Sequence, residues 1–401
     1  MEYIPELSGD LAKWIAAFDI FDRALQEDPF PFYNEIRERC PLGWADTYGG
    51  YWIVSRYEDV EEVLRDSSTY SSKQVLIPHF EHFYGEQIPL ELDPPEHTKF
   101  RQALSPLFGP PRVSRIEPLI RETARRLAAD IASQPEVEFI QSMAIPLPSE
   151  TFLHSFDIPR DRLGDLLAFK DRVIKSGLHE DDPEYEQERA EVLGFFIELL
   201  EKRKAEGATG DDVISELLRS KVDERPWSDQ EILNASIVLL LASLDTTTSA
   251  FGLIVTHLAE RPELRERLVR EPEIIPAAIE EFLRWEPLLH NGRVLRRDVE
   301  KHGTTMKAGD RVMCLFGAAH RDPRVYDDPD RLDFDRQATR HMAFGAGPHR
   351  CLGLHLARAT MRIGLEELHR AVPVYRVKPG TEPARRETYV RGVGELQLRI
   401  G

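Results

Sequence analysis

The chain has 401 residues, 41% hydrophobic and 30% charged, the balance of a globular protein with a sizeable core, which excludes extensive disorder. A formal net charge of −18, from 52 basic and 70 acidic side chains, argues against nucleic acid as a partner. The three cysteines, Cys40, Cys314 and Cys351, are too few for a disulfide framework and suit a reducing cytoplasm.

Residues 1–28 mix Glu2, Glu6, Asp10, Lys13 and Asp19 with apolar side chains, so neither a basic leader nor an apolar signal core is present. No run of eighteen apolar residues occurs anywhere, and neither export nor a membrane anchor is expected. A helical pattern over residues 31–39 precedes strand-like residues 42–47 and 51–54, with Gly49 and Gly50 as a hairpin turn, and then a helix over 57–65. Residues 70–92 lack periodicity but carry Leu76, Ile77, Phe80, Phe83, Tyr84 and Ile88, more apolar weight than a simple connection needs. Asp93-Pro94-Pro95 reads as a helix entry, after which His97 and Arg101, four apart, share a face. Residues 118–221 are mostly helical and acidic, with breaks near 146–148, 158–159 and 180–183.

Ser228 and Glu231 form a capping-box pattern, and the helix that it opens runs to Arg261-Pro262. At about 1.5 Å per residue it would span roughly 45 Å. Residues 237–244 are apolar nearly all round, which demands burial and makes Asp245, Thr246, Thr247 and Thr248 costly unless they have a partner or a task. A bond from the Thr246 hydroxyl back to the Ala242 carbonyl would loosen the helix and open a groove for oxygen or water. Glu281 and Arg284, three apart on a later helix, form a pair that is a weak signal by itself. Val294-Leu295 and residues 309–315 read as strands, and 387–400 as a closing hairpin bent at Gly392 and Gly394.

The most specific stretch is Phe344-Gly345-Ala346-Gly347-Pro348-His349-Arg350-Cys351-Leu352-Gly353, followed by an amphipathic run over 354–368. Small and ring-constrained residues before a single cysteine make a tight loop, and the first turn of the following helix is expected to aim its free N–H groups at the sulfur. Positive helix-end charge and backbone donors favour a thiolate. With no second Cys or His at zinc spacing, this is no zinc site, but one thiolate suffices as the axial ligand of a haem. A buried structural cysteine beside a glycine turn is the plainer alternative.

This segment resembles the haem-thiolate loop of the cytochrome P-450 monooxygenases, and four further segments match the family in order and spacing. Asp93-Pro94-Pro95-Glu96-His97 with Arg101 is similar to the segment that directs a histidine and an arginine to the haem propionates. Ala242-Ser243-Leu244-Asp245-Thr246-Thr247 is similar to the acid–alcohol segment that relays protons to bound dioxygen, with Ser243 in place of the usual glycine. Glu281-x-x-Arg284 resembles the family's structural pair, which Arg331 would complete. Asn291-Gly292-Arg293 matches a strand position that contacts a propionate.

The resemblance implies a mainly α (α+β) cytochrome P-450 fold, a large helical part and a small β-rich part, in a single domain over 1–401. It implies haem b held by Cys351 as iron ligand, with His97, Arg101, Arg293, His349, Phe344, Gly345 and Gly353 around it, and Asp245 and Thr246 as the proton-handling pair. The pattern is nearest the bacterial camphor hydroxylase branch, although Gly85 stands where that enzyme has a hydrogen-bonding tyrosine. The substrate lining implied is Leu76, Phe80, Phe83, Tyr84, Val238, Leu241, Leu289 and Val390, which suits a small apolar terpenoid, norisoprenoid or aromatic. Mobility is expected around 177–183, over the active site. With no flavin motif or cysteine cluster, electrons would come from a separate [2Fe-2S]-type ferredoxin and an NAD(P)H-dependent reductase, docking on a basic face of Arg101, Arg350, Arg358 and Arg362. A peroxide-driven peroxygenase and a non-catalytic haem-binding protein are the alternatives.

Overall fold

The alternating segments Leu42–Ala45 and Tyr51–Val54 pair antiparallel, Leu42 opposite Val54, across a turn in which Gly49 and Gly50 take positive φ. This hairpin is the edge of a five-stranded sheet that continues through Arg311–Cys314, Asn291–Leu295 and Tyr70–Ser71. The computed structural model describes residues 9–79, 86–176, 183–336, 340–386 and 389–401.

The chain forms two compact units. The first comprises residues 1–81, 90–98 and 280–351 and contains the five-stranded sheet. Its core packs Val54, Tyr57, Val60, Val63 and Leu64 against Leu295, Met306, Val312, Phe316 and Met342. The amphipathic helix Tyr57–Arg65 contributes four of these from one face, as its pattern predicts.

The second unit, residues 82–89, 99–279 and 352–401, is mostly helical. Leu354–Ala371 packs along Pro110–Ala132, and Arg121 reaches across to Glu366 and Glu367 at 2.7 Å each. The long apolar segment opens on the predicted capping box, with Ser228 and Glu231 each bonding the other's backbone. It is not one helix: Asp229–Leu244 and Thr246–Glu260 meet at Asp245. Its composition would allow it to cross a membrane, but 67% of its most apolar window is buried inside the protein.

Among the described residues, the C-terminal strands pair differently from the hairpin expected over 387–400. Val393–Glu395 pairs with Ala384–Arg385, whereas Gln397–Ile400 joins Tyr375–Val377 and Glu136–Glu138 in a separate three-stranded sheet. Gly392 is held by close approach, since a Cβ there would lie 2.6 Å from Ser249 Oγ. The expectation of mobility at 177–183 falls almost wholly on 177–182, outside the described residues.

Candidate functional site

The residues that the sequence singles out are divided between the two units, with Arg101 and Gly353 in the second. In the first, the loop before Cys351 is set by two left-handed glycines, Gly345 at φ +69° and Gly347 at φ +67°. A side chain at Gly347 would place its Cβ 2.6 Å from the Leu64 carbonyl oxygen, so no other residue fits. The turn is closed by Gly345 N–H donating to the Met342 carbonyl at 2.8 Å and Cys351 N–H donating to the Phe344 carbonyl at 2.7 Å. Phe344 and Cys351 are half-buried, whereas Cys40 and Cys314 are fully buried. Burial pushes the Cys40 thiol up to about 11 and the Cys314 thiol up to about 12, leaving both inert as thiolates. Gly353 caps the helix Leu354–Ala371, with nothing among the described residues within 4 Å of a Cβ built on it.

His97 is brought to His349, their ring centroids 4.0 Å apart, with His97 buried. Arg293 is only 2% exposed and donates to the Gly292 carbonyl at 2.6 Å, yet it forms no ion pair among the described residues. Desolvation pulls its pKa below the usual guanidinium range. Asp93 offsets this only in part, and a buried cation without a close anionic partner is expensive. It fits a site that takes an anionic group such as a propionate, so the residues present suit a haem. Arg101, on the helix Glu96–Phe108, is half-buried.

In the second unit, Asp245 is fully buried at the junction of the two helices. Its Oδ1 accepts from Arg386 Nη1 at 2.5 Å and from Lys170 Nζ at 3.3 Å, and Arg386 also reaches Ser249 Oγ at 3.3 Å. Lys170 pairs in addition with Asp171 at 2.7 Å. Asp245 Oδ2 has no hydrogen-bond partner among the described residues. One oxygen is therefore held by two cations, whereas the other, equally buried, is not. The Thr246 hydroxyl donates to the Ala242 carbonyl at 2.9 Å, as its spacing predicts, which leaves its lone pairs available. Ser243, in the unusual position, donates to the Leu239 carbonyl at 2.6 Å.

Glu281 and Arg284 are fully buried and bidentate, at 2.7 and 2.8 Å. The arginine that joins them is Arg336, whose Nε donates to Glu281 Oε1 at 3.1 Å, and not Arg331. The Arg331 side chain is 66% exposed and lies 3.8 Å from Asp333, while its main-chain carbonyl receives both Arg284 and Arg336. The chain direction through residues 328–336 turns the Arg331 side chain outward and brings Arg336 in. Arg336 Nη1 and Nη2 further bond the carbonyls of Asp327 and Asp328.

Of the expected substrate lining, Leu76, Val238, Leu241 and Leu289 are half-buried and Val390 is buried. Phe80, Phe83 and Tyr84 lie outside the described residues, as does Gly85. Sequence reasoning missed Lys170, Arg386 and Arg336, which are polar groups with no local motif to mark them. It placed Arg362 on a basic face, but this side chain is tied to Glu117 at 2.8 Å and Glu366 at 3.1 Å.

A family sequence profile described as Cytochrome P450 matches residues 150–387. The chain is 35% identical to the erythromycin C-12 hydroxylase of Saccharopolyspora erythraea, over 83% of this chain and 84% of that protein. It is 33% identical to the nocardicin C N-oxygenase of Nocardia uniformis subsp. tsuyamanensis, over 92% of this chain and 95% of that one. Among solved structures, that of CYP101J2 superposes with a TM-score of 0.87 at 29% identity, covering 100% of both chains.

Proposed function

Because this chain belongs to the cytochrome P450 family, and is a monooxygenase with haem b as its cofactor, we propose that Cys351 is the iron ligand and that Asp245 and Thr246 manage the protons. The bound haem supplies the iron at which dioxygen and two electrons are used to put one oxygen atom into substrate and the other into water.

The observation that carries the reading is the asymmetric environment of Asp245. Arg386 and Lys170 hold Oδ1, so the carboxylate stays oriented while Oδ2 is left to exchange a proton. Thr246, its own proton engaged by Ala242, keeps acceptor capacity for a water. Cys351 would hold the haem iron and, as a thiolate, would donate electron density to it. Arg293 is the strongest propionate candidate, since it is buried with no ion pair among the described residues and Asp93 acts on it only from beyond ion-pair distance, and His97, His349 and Arg101 are assigned the same task. Phe344, Gly345 and Gly353 shape the loop around the ligand. Glu281, Arg284 and Arg336 are structural.

The substrate is a small, mostly apolar molecule of the terpenoid, norisoprenoid or aromatic kind, because Leu76, Phe80, Phe83, Tyr84, Val238, Leu241, Leu289 and Val390 include no charged side chain. Electrons come from a separate [2Fe-2S]-type ferredoxin and its NAD(P)H-dependent reductase, in the cytoplasm, to a single-domain enzyme. Cys351→Ala tests the ligand: the red-shifted carbon monoxide band of thiolate-ligated ferrous haem should vanish. Its retention would reassign the ligand, although burial disfavours both other thiols.

A further inference from the structure

Downstream of the Glu281–Arg284 pair lies a buried histidine that the monooxygenase chemistry leaves without a role. His320 is 0% exposed, follows the short helix Phe316–Ala319 and stacks on Phe316 with ring centroids 6.0 Å apart. Its carbonyl accepts from Arg284 Nη1 at 2.9 Å. Its Nε2 accepts the backbone N–H of Met342 at 2.8 Å. A ring nitrogen that accepts carries no proton, so the imidazole is neutral with its proton on Nδ1. Burial, His341 and Arg284 all disfavour the imidazolium and hold its pKa well below the ordinary histidine value.

Met342 is the first link of the loop that ends at Cys351. Its amide is buried and has to be satisfied, its carbonyl accepts from Gly345, and the Phe344 carbonyl accepts from Cys351. His341 repeats the device at the next amide: Nδ1 accepts Ala343 N–H at 3.1 Å, while Nε2 bonds Glu280 at 3.1 Å. The buried Arg284 therefore grips the His320 backbone, and the His320 ring grips the amide at the head of the cysteine loop. We propose that His320 is a positioning residue for the thiolate ligand, a neutral acceptor that transmits the rigidity of the Glu281–Arg284–Arg336 cluster to the loop presenting Cys351.

The proposal rests on Cys351 as the iron ligand, and the experiment separates the two. In the wild-type holoprotein, amide hydrogen exchange resolved to single residues should find Met342 strongly protected, a result independent of what binds the iron. In His320→Phe, which keeps the ring and loses the acceptor, exchange at Met342 should quicken at least about tenfold. Part of the ferrous carbon monoxide spectrum should pass from the red-shifted thiolate band to the shorter-wavelength form. His320→Gln, whose amide oxygen accepts, should restore both. An unprotected Met342 in the wild type overturns the proposal even if His320→Phe yields no holoprotein. So does a His320→Phe protein with wild-type protection and spectrum, or a His320→Gln protein that restores neither. A wild-type protein without the red-shifted band would instead overturn the Cys351 assignment and leave the exchange result to decide on His320.

Discussion

Asp245 sits among two cations and one further carboxylate, Lys170, Arg386 and Asp171, so a buried acid stays compensated without losing both its oxygens to ion pairs. Arg386→Leu removes its shortest bond and a charge-assisted contact of about 1.5–3 kcal/mol. Steady-state turnover should fall about tenfold or more, with Arg386→Lys in between, because an ammonium keeps the charge but not the reach to both Asp245 and Ser249. Thr246→Ala should leave haem incorporation and the substrate-induced spin shift nearly intact while product per NADH drops severalfold and peroxide rises. Unchanged coupling would pass the proton role to Ser243 or Thr247, whose hydroxyls lie in the same stretch.

The interruption between Asp229–Leu244 and Thr246–Glu260 belongs to the element rather than to any one residue. Ser243, Thr246 and Thr248 each bond the carbonyl four residues back, so three hydroxyls compete for the helix's own acceptors around Asp245. The segment after His320 is held differently, by arginines that collect main-chain carbonyls. Arg284 takes those of His320, Pro329 and Arg331, and Arg336 those of Asp327, Asp328 and Arg331. Arg336→Ala strips a buried carboxylate of a partner and should destabilise the protein by roughly 3 kcal/mol. Arg331→Ala leaves the carbonyl contacts in place and should cost under about 0.5 kcal/mol. Denaturant midpoints of the two variants check the exchange of roles, and equal losses would restore Arg331 to the cluster.

Over the whole molecule the charge is −18, so the acidic ferredoxin proposed as electron donor would need locally unpaired cations to dock. Arg362 is bound to Glu117 and Glu366, whereas Arg350 is exposed and has no ion pair among the described residues. Arg350→Glu should therefore slow reduction by ferredoxin and flatten its dependence on ionic strength, with a normal carbon monoxide spectrum. Arg362→Glu should instead lower stability. Stopped-flow reduction across a salt series separates them, and unchanged rates at low salt in Arg350→Glu would place docking elsewhere.

The parts legible from residues alone are those governed by short-range geometry. The capping box at Ser228, the helix 57–65, the Thr246 bond to Ala242 and the hydrogen bonds that close the turn before Cys351 each depend on partners a few positions away, where backbone sterics leave few options. The pairing of Glu281 with Arg284 was legible for the same reason. The partners of Asp245, the substitution of Arg336 for Arg331, the His320–Met342 bond and the sheet that claims residues 397–400 join positions tens to hundreds of residues apart. Many arginines and acids in the chain have equal local claim to those partners. Burial selects among them, since a charge or an amide removed from water takes whichever complementary group the packed chain brings within about 3 Å.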